Sequence, residues 1–401
     1  MKWPEIPIED VCEVCIDCVN RTAPTVSYPT PYKMIRTSNV KDGFVDLTQV
    51  RYVNEATYRK WTRRSVPRRG DVVLTREAPL GSVGRITTDE NVFLGQRIFH
   101  YRADNDKVDP DFLAYVLQSP VMQGRIRSKG FGATVEHMQV GECMRLLIPV
   151  PSREVQRRIG SILAAYDDLI ENNRSRIGLL EESAQQLFTE WFVRLRFPDY
   201  DNASCIDRIP KDWIKRVVPE LFDINPKTIA ERDVEKTYVP MASLTESTSL
   251  IMETEVRTRT SGTKFKNGDT LLARITPCIE NGKTALVQCL NDDEVAIGST
   301  EFIVFRPRTV GPAWTYSFAR SKHLRQTAIN SMKGSDGRQR VNPAVFSDYP
   351  VLLPPKSLLS KFEDIAGRSL QLVQNLHSQN LQLIQARTML LPRLMSGELE
   401  V

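Results

Sequence analysis

A long heptad repeat in the middle of the chain limits the fold more than any other feature of the sequence. Its positions step alternately by four and three residues, and nearly all of them are apolar: Ile159, Leu163, Tyr166, Ile170, Asn173, Ile177, Leu180, Ala184, Leu187 and Trp191. This spacing predicts one helix of more than four heptads with an apolar seam. A polar residue on such a seam costs stability and fixes register, so Asn173 indicates a helix that pairs in one alignment.

A second, weaker seam lies 206 residues further along the chain. Adding 206 to the first nine positions gives Ile365, Ser369, Leu372, Leu376, Gln379, Leu383, Ala386, Leu390 and Arg393. At this offset, Gln379 occupies the position equivalent to Asn173 in the first seam. Two seams of similar length with an amide at matching places favour an intramolecular coiled coil over two helices that pack separately on their own domains.

Shorter motifs repeat at nearly the same spacing. Residues 69–76 (Arg-Gly-Asp-Val-Val-Leu-Thr-Arg) match residues 267–274 (Asn-Gly-Asp-Thr-Leu-Leu-Ala-Arg), and both predict a Gly-Asp turn entering a buried strand that ends at an arginine. Proline clusters at 149 and 354–355 suit strand-to-helix boundaries. Short helices are predicted at equivalent places, 113–118 and 313–318. These matches predict a duplicated α+β unit.

The predicted order is therefore globular unit, long helix, globular unit, long helix. The predicted boundaries are 1–150 for the first globular domain, 151–198 for the first long helix and linker, 199–354 for the second domain, and 355–401 for the second long helix and tail. The predicted fold class is α+β, with two repeated α/β domains separated by two long helices that form an intramolecular coiled coil.

The amino-acid composition limits the kinds of protein to which the chain can belong. The 401 residues suit two or three compact units, and 41% hydrophobic with 26% charged residues is ordinary for a soluble globular chain. A net charge of +5 is compatible with a nucleic-acid partner without proving one. Seven cysteines indicate a reducing compartment rather than a disulfide scaffold. No signal peptide or membrane segment can be read, so we expect a cytoplasmic chain.

No catalytic or metal site is predicted. Cys12, Cys15 and Cys18 have the spacing of iron–sulfur ligands, but position 22 is threonine and the intervening valines favour a buried strand. The sequence Gly-Lys-Thr at 282–284 lacks the leading glycine of a phosphate-binding loop and favours a hairpin turn. The Asn/Asp-Pro-Pro-aromatic element of adenine methyltransferases and the Asp/Glu-x-Lys element of restriction nucleases are both missing from the sequence.

Basic residues with interleaved aromatics are the remaining signal. One cluster precedes and includes the first repeated strand, around Tyr52, Tyr58 and Trp61: Arg51, Arg59, Lys60, Arg63, Arg64, Arg68, Arg69 and Arg76. In the second half, Arg257, Arg259, Lys264 and Lys266 precede the strand that ends at Arg274. Residues 333–340 form a Gly-rich basic loop, for which Lys129 and Gly130 are the predicted counterpart. Such loops suit phosphate neutralisation, with arginine or glutamine reaching base edges; for any single arginine, a solvated face is the alternative.

Over almost its whole length, the chain resembles a specificity (S) subunit of a type I restriction-modification enzyme. The motifs that carry the resemblance are residues 35–39 (Ile-Arg-Thr-Ser-Asn), 74–79 (Leu-Thr-Arg-Glu-Ala-Pro), 154–159 (Glu-Val-Gln-Arg-Arg-Ile), 187–192 (Leu-Phe-Thr-Glu-Trp-Phe), 337–341 (Gly-Arg-Gln-Arg-Val) and 391–398 (Leu-Pro-Arg-Leu-Met-Ser-Gly-Glu).

The resemblance implies an α+β fold in which the two long helices form an antiparallel intramolecular coiled coil and separate two target-recognition domains. Each of these domains reads half of a split double-stranded DNA site. The resemblance also implies two methyltransferase (M) subunits held by the helices, restriction (R) subunits joining them, and S-adenosylmethionine, ATP and Mg²⁺ used by these partners and not by the chain itself. The predicted DNA-contacting residues are Arg36, Thr37, Arg76, Lys129, Lys264, Arg274, Lys333, Arg338, Gln339 and Arg340. Two alternatives stay open: a self-contained methyltransferase or nuclease with an unfamiliar site, and a coiled-coil scaffold that does not read DNA.

Overall fold

The computed structural model describes residues 3–132, 135–206, 209–231, 234–258, 261–333 and 339–400. The chain divides into two compact units. Unit 1 comprises Met1–Leu169 and Leu383–Val401, and unit 2 comprises Ile170–Gln382. Each unit therefore contains one stretch of the first long helix and one stretch of the second.

Unit 1 is a mixed α/β domain. Its described strands are β1 (Glu5–Pro7), β2 (Cys12–Asp17), β3 (Tyr32–Ile35), β4 (Val40–Lys41), β5 (Gly43–Val45), β6 (Arg51–Tyr52), β7 (Val72–Arg76), β8 (Leu80–Arg85), β9 (Asn91–Leu94), β10 (Ile98–Ala103) and β11 (Leu147–Pro149). Its described helices are α1 (Glu55–Trp61), α2 (Pro110–Gln118), α3 (Pro120–Ser128), α4 (Val140–Met144) and the first part of α5 (Arg153–Phe188).

A six-stranded sheet in the order β2-β10-β7-β8-β5-β4 forms the centre of the described part of unit 1. Val72, Val73 and Leu74 of β7 are almost completely buried in it. Helix α2 begins where the Asp109 side chain accepts a hydrogen bond from the N–H of Phe112 at 3.1 Å. Its buried face joins the same core as β7 and β10, which anchors the central strand on one side.

Unit 2 has the same kinds of element. Its described strands are β12 (Cys205–Ile206), β13 (Ile209–Pro210), β14 (Ile214–Val217), β15 (Phe222–Ile224), β16 (Lys236–Val239), β17 (Glu255–Arg257), β18 (Thr263–Phe265), β19 (Thr270–Ala273), β20 (Thr284–Leu286), β21 (Ala296–Gly298), β22 (Phe302–Pro307) and β23 (Pro350–Leu353). Its described helices are α6 (Val218–Leu221), α7 (Pro312–Ala319), α8 (Lys322–Asn330), α9 (Lys356–Phe362) and the first part of α10 (Arg368–Ser396).

The strand orders of the two units show the duplication directly. The order β15-β22-β19-β20 in unit 2 repeats β2-β10-β7-β8 in unit 1, and β17-β16-β21 repeats β6-β3-β9. In the second of these sheets, β3 pairs with β9 and β16 pairs with β21 in parallel. The antiparallel pairs β1-β11 and β14-β23 also correspond. The predicted duplicated α+β unit and the two short helices at equivalent places, α2 and α7, are confirmed.

The long helices pair antiparallel, as predicted. In unit 2, Ile177 of α5 packs in one cluster with Val373 and Leu376 of α10. One turn earlier on α5, the Asn173 Nδ2 donates to the Asn380 Oδ1 at 3.0 Å. Numbers therefore rise along one helix as they fall along the other, which defines an antiparallel pair.

The predicted register of the second seam is wrong by one residue. Gln379 is exposed, and Ile365 is 51% exposed. Leu376 is buried as predicted, but the other buried positions in this stretch lie off the predicted seam: Phe362, Ala366, Leu370, Val373, His377 and Asn380. A π-helical turn at Glu363–Gly367 adds one residue that α5 lacks at the equivalent place. Beyond this turn the two helices match at an offset of 207 rather than 206, and the amide equivalent to Asn173 is Asn380.

Within the part of the chain that the structure describes, no helix combines the length and the apolar character that crossing a membrane requires.

Candidate nucleic-acid interface

A buried aspartate starts the central strand of unit 1. Gly70, which precedes it, has a φ of +89°, in the left-handed region that favours glycine. The Asp71 carboxylate accepts hydrogen bonds from the backbone N–H of Arg68 at 2.7 Å and from the Arg102 guanidinium at 2.7 and 2.9 Å. His100 Nε2 lies 2.7 Å from Asp71 Oδ2. Burial acts to raise the pKa of Asp71, but the hydrogen bonds from His100 and Arg102 outweigh it and lower this pKa.

Unit 2 repeats this turn without the histidine. Gly268 has a φ of +87°. Asp269 accepts hydrogen bonds from the N–H of Lys266 at 2.9 Å and from the Arg306 guanidinium at 2.6 and 2.8 Å. The hydrogen bonds between Asp269 and the guanidinium raise the pKa of Arg306. The repeated Gly-Asp motif thus encodes a turn whose carboxylate ties together the preceding backbone and a neighbouring strand.

The far end of β19 carries the predicted DNA-contacting loop of unit 2. The N–H of Val341 donates to the carbonyl of Arg274 at 2.8 Å, and the carbonyl of Gln339 accepts a hydrogen bond from the backbone just beyond the strand at 3.1 Å. Lys333 and Arg340 exchange backbone hydrogen bonds at 3.1 and 3.3 Å. The structure therefore brings four of the predicted residues together: Arg274, Lys333, Gln339 and Arg340.

Glu301 balances part of the positive charge of this loop. The Arg340 guanidinium binds the Glu301 carboxylate at 2.8 to 3.0 Å, which raises the pKa of Arg340. Arg274 Nε lies 3.9 Å from the same carboxylate. Lys333 is exposed and has no carboxylate partner among the described residues. Arg338 lies outside the described residues, together with the rest of 334–338.

The equivalent loop of unit 1 is built differently. Phe131 and His137 exchange backbone hydrogen bonds at 3.0 and 3.1 Å, and their ring centroids are 4.1 Å apart. Phe131 therefore holds the place that Lys333 holds in unit 2, so the predicted match between Lys129 and Lys333 is wrong. Lys129 follows α3 instead, and its ammonium pairs with Glu142 of α4 at 2.9 Å.

Arg76 is tied to its own unit. Its Nη1 donates to the carbonyl of Met138 at 2.9 Å, and its Nη2 pairs with Asp17 at 3.0 Å. The Nε atoms of Arg76 and Arg274, which are equivalent in the repeat, are both buried without a hydrogen-bond acceptor among the described residues. Arg76 therefore ties the end of β7 to Met138 and Asp17, and these partners could not be predicted from the sequence because they lie 62 and 59 residues away along it.

The three remaining predicted residues belong to other sheets. Arg36 and Thr37 follow β3, where the Arg36 Nη2 donates to the carbonyl of Gln49 at 3.0 Å. Lys264 lies in β18, half-buried, with no acceptor for its ammonium among the described residues. The structure does not join these residues to the loops at the ends of β7 and β19.

Helix α1 and the segments that flank it carry more exposed cations than the described residues of either loop. The cations in this part of unit 1 are all exposed: Arg51, Arg59, Lys60, Arg63, Arg64, Arg68 and Arg69. Sequence analysis noted this cluster but selected none of these seven as DNA contacts. The signal that marks them is a run of lysine and arginine almost free of aspartate and glutamate.

Buried tyrosine hydroxyls attach each domain to the long helices. In unit 1, the Tyr115 hydroxyl of α2 donates to Asp167 of α5 at 2.6 Å, and Arg387 of α10 pairs with the same carboxylate. In unit 2, the Tyr316 hydroxyl of α7 donates to Glu181 of α5 at 3.1 Å. Burial raises the pKa of Glu181. Sequence analysis missed both carboxylates because the apolar residue before each one fits the seam pattern.

Two of the three closely spaced cysteines lie in strand β2, and the third follows it. Cys12, Cys15 and Cys18 are free thiols, and burial raises the pKa of Cys15 to about 12 and that of Cys18 to about 11. Over the described residues, no group of histidine, cysteine, aspartate or glutamate side chains could hold a metal ion.

Comparison with known proteins links the N-terminal part of the chain to one family. Residues 1–182 match the family described as "Type I restriction modification DNA specificity domain". A longer similarity extends over most of the chain: it is 24% identical to the type I restriction enzyme MjaIX specificity subunit of Methanocaldococcus jannaschii over 368 residues, 88% of this chain and 82% of that protein.

A second relative and a solved structure agree with this match. The type I restriction enzyme EcoEI specificity subunit of Escherichia coli is 28% identical over 195 residues, 47% of this chain and 33% of that protein. The crystal structure of a type I restriction-modification system S subunit from M. genitalium has a TM-score of 0.55 at 14% identity, and the alignment covers 98% of this chain and 95% of that one. At this identity the structural likeness concerns the fold alone.

Proposed function

We propose that the chain is a specificity subunit of a type I restriction-modification enzyme and that it reads a DNA site in two halves; its residues 1–182 match the family's DNA specificity domain. One domain, within residues 1–150, reads one half-site, and the other, within residues 199–354, reads the second. The observation that carries this proposal is the duplication, because both units have the same sheet order, the same Gly-Asp turn and a loop at the same strand end.

The loops suit recognition because base contacts need donors held in a defined orientation. In unit 2, Glu301 orients the Arg340 guanidinium, and Lys333 extends from the same loop into solvent. Arginine donates in pairs to the edge of guanine, whereas an exposed lysine suits a phosphate. In unit 1, the corresponding loop presents Phe131 and His137, so the two loops differ chemically and suit different half-site sequences.

Catalysis belongs to partner subunits in this proposal. The specificity subunit itself is non-catalytic, and it directs adenine methylation and restriction by the subunits bound to it. Two methyltransferase subunits bind the paired helices and use S-adenosylmethionine, and restriction subunits that use ATP and Mg²⁺ join this core. The assembled complex acts on double-stranded DNA in the cytoplasm.

A domain exchange tests the proposal. Residues 1–150 are replaced by the equivalent domain of a relative that recognises another sequence, and methylated adenines are mapped in cells that contain the methyltransferase subunit. We expect one half-site to change and the other to stay.

The matched control exchanges residues 199–354, which should change the opposite half-site. Chimeras that fold and assemble yet alter both half-sites together would contradict two independent reading domains. Methylation that does not depend on this chain at all would contradict the function itself.

A further inference from the structure

The basic segment of unit 1 has cations that the fold leaves without carboxylate partners. Among the described residues, no carboxylate lies within ion-pair distance of five exposed side chains: Arg51, Lys60, Arg63, Arg64 and Arg68. Two neighbours differ, since Arg59 pairs with Glu55 at 2.6 Å and Arg69 pairs with Asp89 at 2.9 Å. The segment therefore contains both paired and unpaired arginines, and all of them are exposed.

The fold holds these cations outward. Helix α1 begins at Asn54, whose side chain accepts a hydrogen bond from the N–H of Thr57 at 2.8 Å. Tyr58 is buried beneath the helix, with its ring 4.7 Å from that of Tyr32. At the end of the helix, the buried Thr62 hydroxyl donates to the carbonyl of Tyr58 at 2.8 Å. Because residues 57, 58 and 62 face the core, residues 59, 60, 63 and 64 face solvent.

The end of the segment is fixed as well. The backbone N–H of Arg68 donates to the buried carboxylate of Asp71, and Pro67 is buried. Trp61 Nε1 donates to the carbonyl of Arg21 at 3.4 Å. The arginine side chains thus project from a backbone that is anchored at both ends, which reduces the entropy that binding must remove.

The two domains differ in charge over equivalent stretches. Between β3 and β7, residues 36–71 contain nine lysines and arginines against four aspartates and glutamates, a net charge of +5. Between β16 and β19, residues 240–269 contain four of each and have no net charge. This excess equals the net charge of the whole chain, which is also +5. Duplication of the fold has therefore not duplicated this surface.

We propose that Arg51, Lys60, Arg63, Arg64 and Arg68 form a contact surface for the phosphates of duplex DNA, independent of sequence and present on the first domain alone. This inference rests on the proposed function and deepens it, because it assigns general DNA affinity to one surface and recognition of the DNA sequence to another. Unpaired arginines contact phosphates without having to break an existing ion pair, whereas Arg340 and Arg76 already bind carboxylates. The first domain therefore supplies most of the electrostatic affinity, and the loops supply the specificity.

The salt dependence of binding to random-sequence duplex DNA tests the surface on the full-length chain. Each phosphate contact contributes about 0.9 to the slope of log affinity against log salt concentration. We expect R63Q/R64Q to reduce the slope by about 2. The affinity ratio of the wild-type chain to this variant should then shrink about 10-fold between 50 and 200 mM salt.

The matched control is R59Q/R69Q, which removes the same charge from the same segment but takes arginines that already have carboxylate partners. We expect a clearly smaller change in slope for this variant. Equal changes in both double variants would mean that net charge alone matters, and no change in R63Q/R64Q would place the phosphates elsewhere; either result overturns the proposal. R63K/R64K should keep the wild-type slope, and loss of the slope in this variant would overturn a purely electrostatic contact.

Methylation mapping separates this proposal from the proposed function. R63Q/R64Q should methylate the same two half-sites as the wild-type chain, only less completely at high salt. An unchanged slope with intact half-sites contradicts the phosphate surface and leaves the proposed function standing. A changed half-site sequence would instead make these arginines part of sequence reading and would overturn the separation of affinity from specificity.

Discussion

In each unit, one buried aspartate holds the central strand in place. Asp71 and Asp269 are almost completely buried, and each binds a guanidinium from the neighbouring strand as well as the backbone before its own strand. A buried carboxylate is tolerated only when it is fully hydrogen-bonded and paired. The same motif that marks the repeat in the sequence is thus the point at which strand, turn and neighbouring strand are joined.

Asp71→Asn tests this role. The substitution leaves the Arg102 guanidinium without its counter-charge, and we expect unit 1 to lose about 3 kcal/mol of stability. A chain of two units does not unfold in one step, so the measurement is hydrogen exchange of peptides that cover β7 and β10. Asp89→Asn is the control, because Asp89 pairs with Arg69 at the surface and its loss should leave this exchange unchanged.

The loss of stability at acidic pH provides a second measurement of the effect of Asp71→Asn. The pKa of Asp71 is lower in the folded chain than its ordinary value of about 4. Its contribution is therefore complete above the ordinary pKa and is lost as pH falls through the folded pKa. Asp71→Asn should flatten this part of the pH profile for β7, and an unaltered acid limb in the variant would contradict the role of the carboxylate.

At the level of elements, the π-helical turn Glu363–Gly367 decides how the two long helices align. It places Glu363 where its carboxylate accepts hydrogen bonds from the N–H groups of Ala313 and Trp314 at the start of α7. The extra residue also moves the seam of α10 by one position and brings Asn380, not Gln379, against α5. One local turn thus determines both the docking of α7 and the pairing of the amides.

The buried pair Asn173–Asn380 predicts that replacing one amide costs more stability than replacing both. Asn380→Leu leaves the Asn173 side chain buried without its partner, and we expect a loss of about 1 to 3 kcal/mol in unit 2. Replacing both residues by leucine should recover most of this loss, because an apolar pair leaves no polar group unsatisfied. Asn173→Leu completes the cycle, and hydrogen exchange of peptides that cover α5 and α10 in the two single variants and the double variant gives the coupling energy.

Gln379→Leu is the matched control one position away. Because Gln379 is exposed, its replacement should change stability little. An equal loss in Gln379→Leu and Asn380→Leu would contradict the register that the π-helical turn creates.

At the level of the whole molecule, each unit is completed by residues that the chain order would assign elsewhere. Leu394 and Met395, near the C-terminus, are buried in the core of unit 1. Phe188 and Trp191, at the end of the first long helix, are buried in the core of unit 2. The long helices are therefore parts of the domain cores as well as connections, and truncating either one exposes apolar core.

Helix length is expected to set the distance between the half-sites. Helix α5 has 36 residues, or about 54 Å at 1.5 Å per residue. Adding one heptad to both α5 and α10 preserves the seam and lengthens the pair by about 10 Å, which corresponds to roughly three base pairs. Under the proposed function, methylation mapping of this variant should show both half-sites unchanged and a longer spacer.

The control for helix length adds three or four residues to α5 alone. This insertion shifts one seam against the other and should destabilise the pair rather than lengthen the spacer. An unchanged spacer in the paired-heptad variant, with the variant folded and bound to its methyltransferase subunits, would mean that another part of the molecule sets the distance.

The sequence by itself determined the features that depend on local periodicity. The heptad seam of α5, the two Gly-Asp turns, the repeated strands and the order of domains and helices were all predictable, because each follows from the spacing of side chains along one stretch of chain. The resemblance to type I specificity subunits rests on the same kind of local motif, and the comparisons agree with it.

Only the tertiary structure decided which polar groups meet. Arg76 pairs with Asp17, 59 residues away, and Arg340 pairs with Glu301, 39 residues away, so the sequence could not separate paired arginines from unpaired ones. The π-helical turn moved the buried amide from the predicted Gln379 to Asn380, and its Glu363 accepts hydrogen bonds from the start of a helix about 50 residues earlier, a contact that no local pattern records. Periodicity records which face of an element is apolar, whereas the pairing of charges depends on distances that exist only after folding.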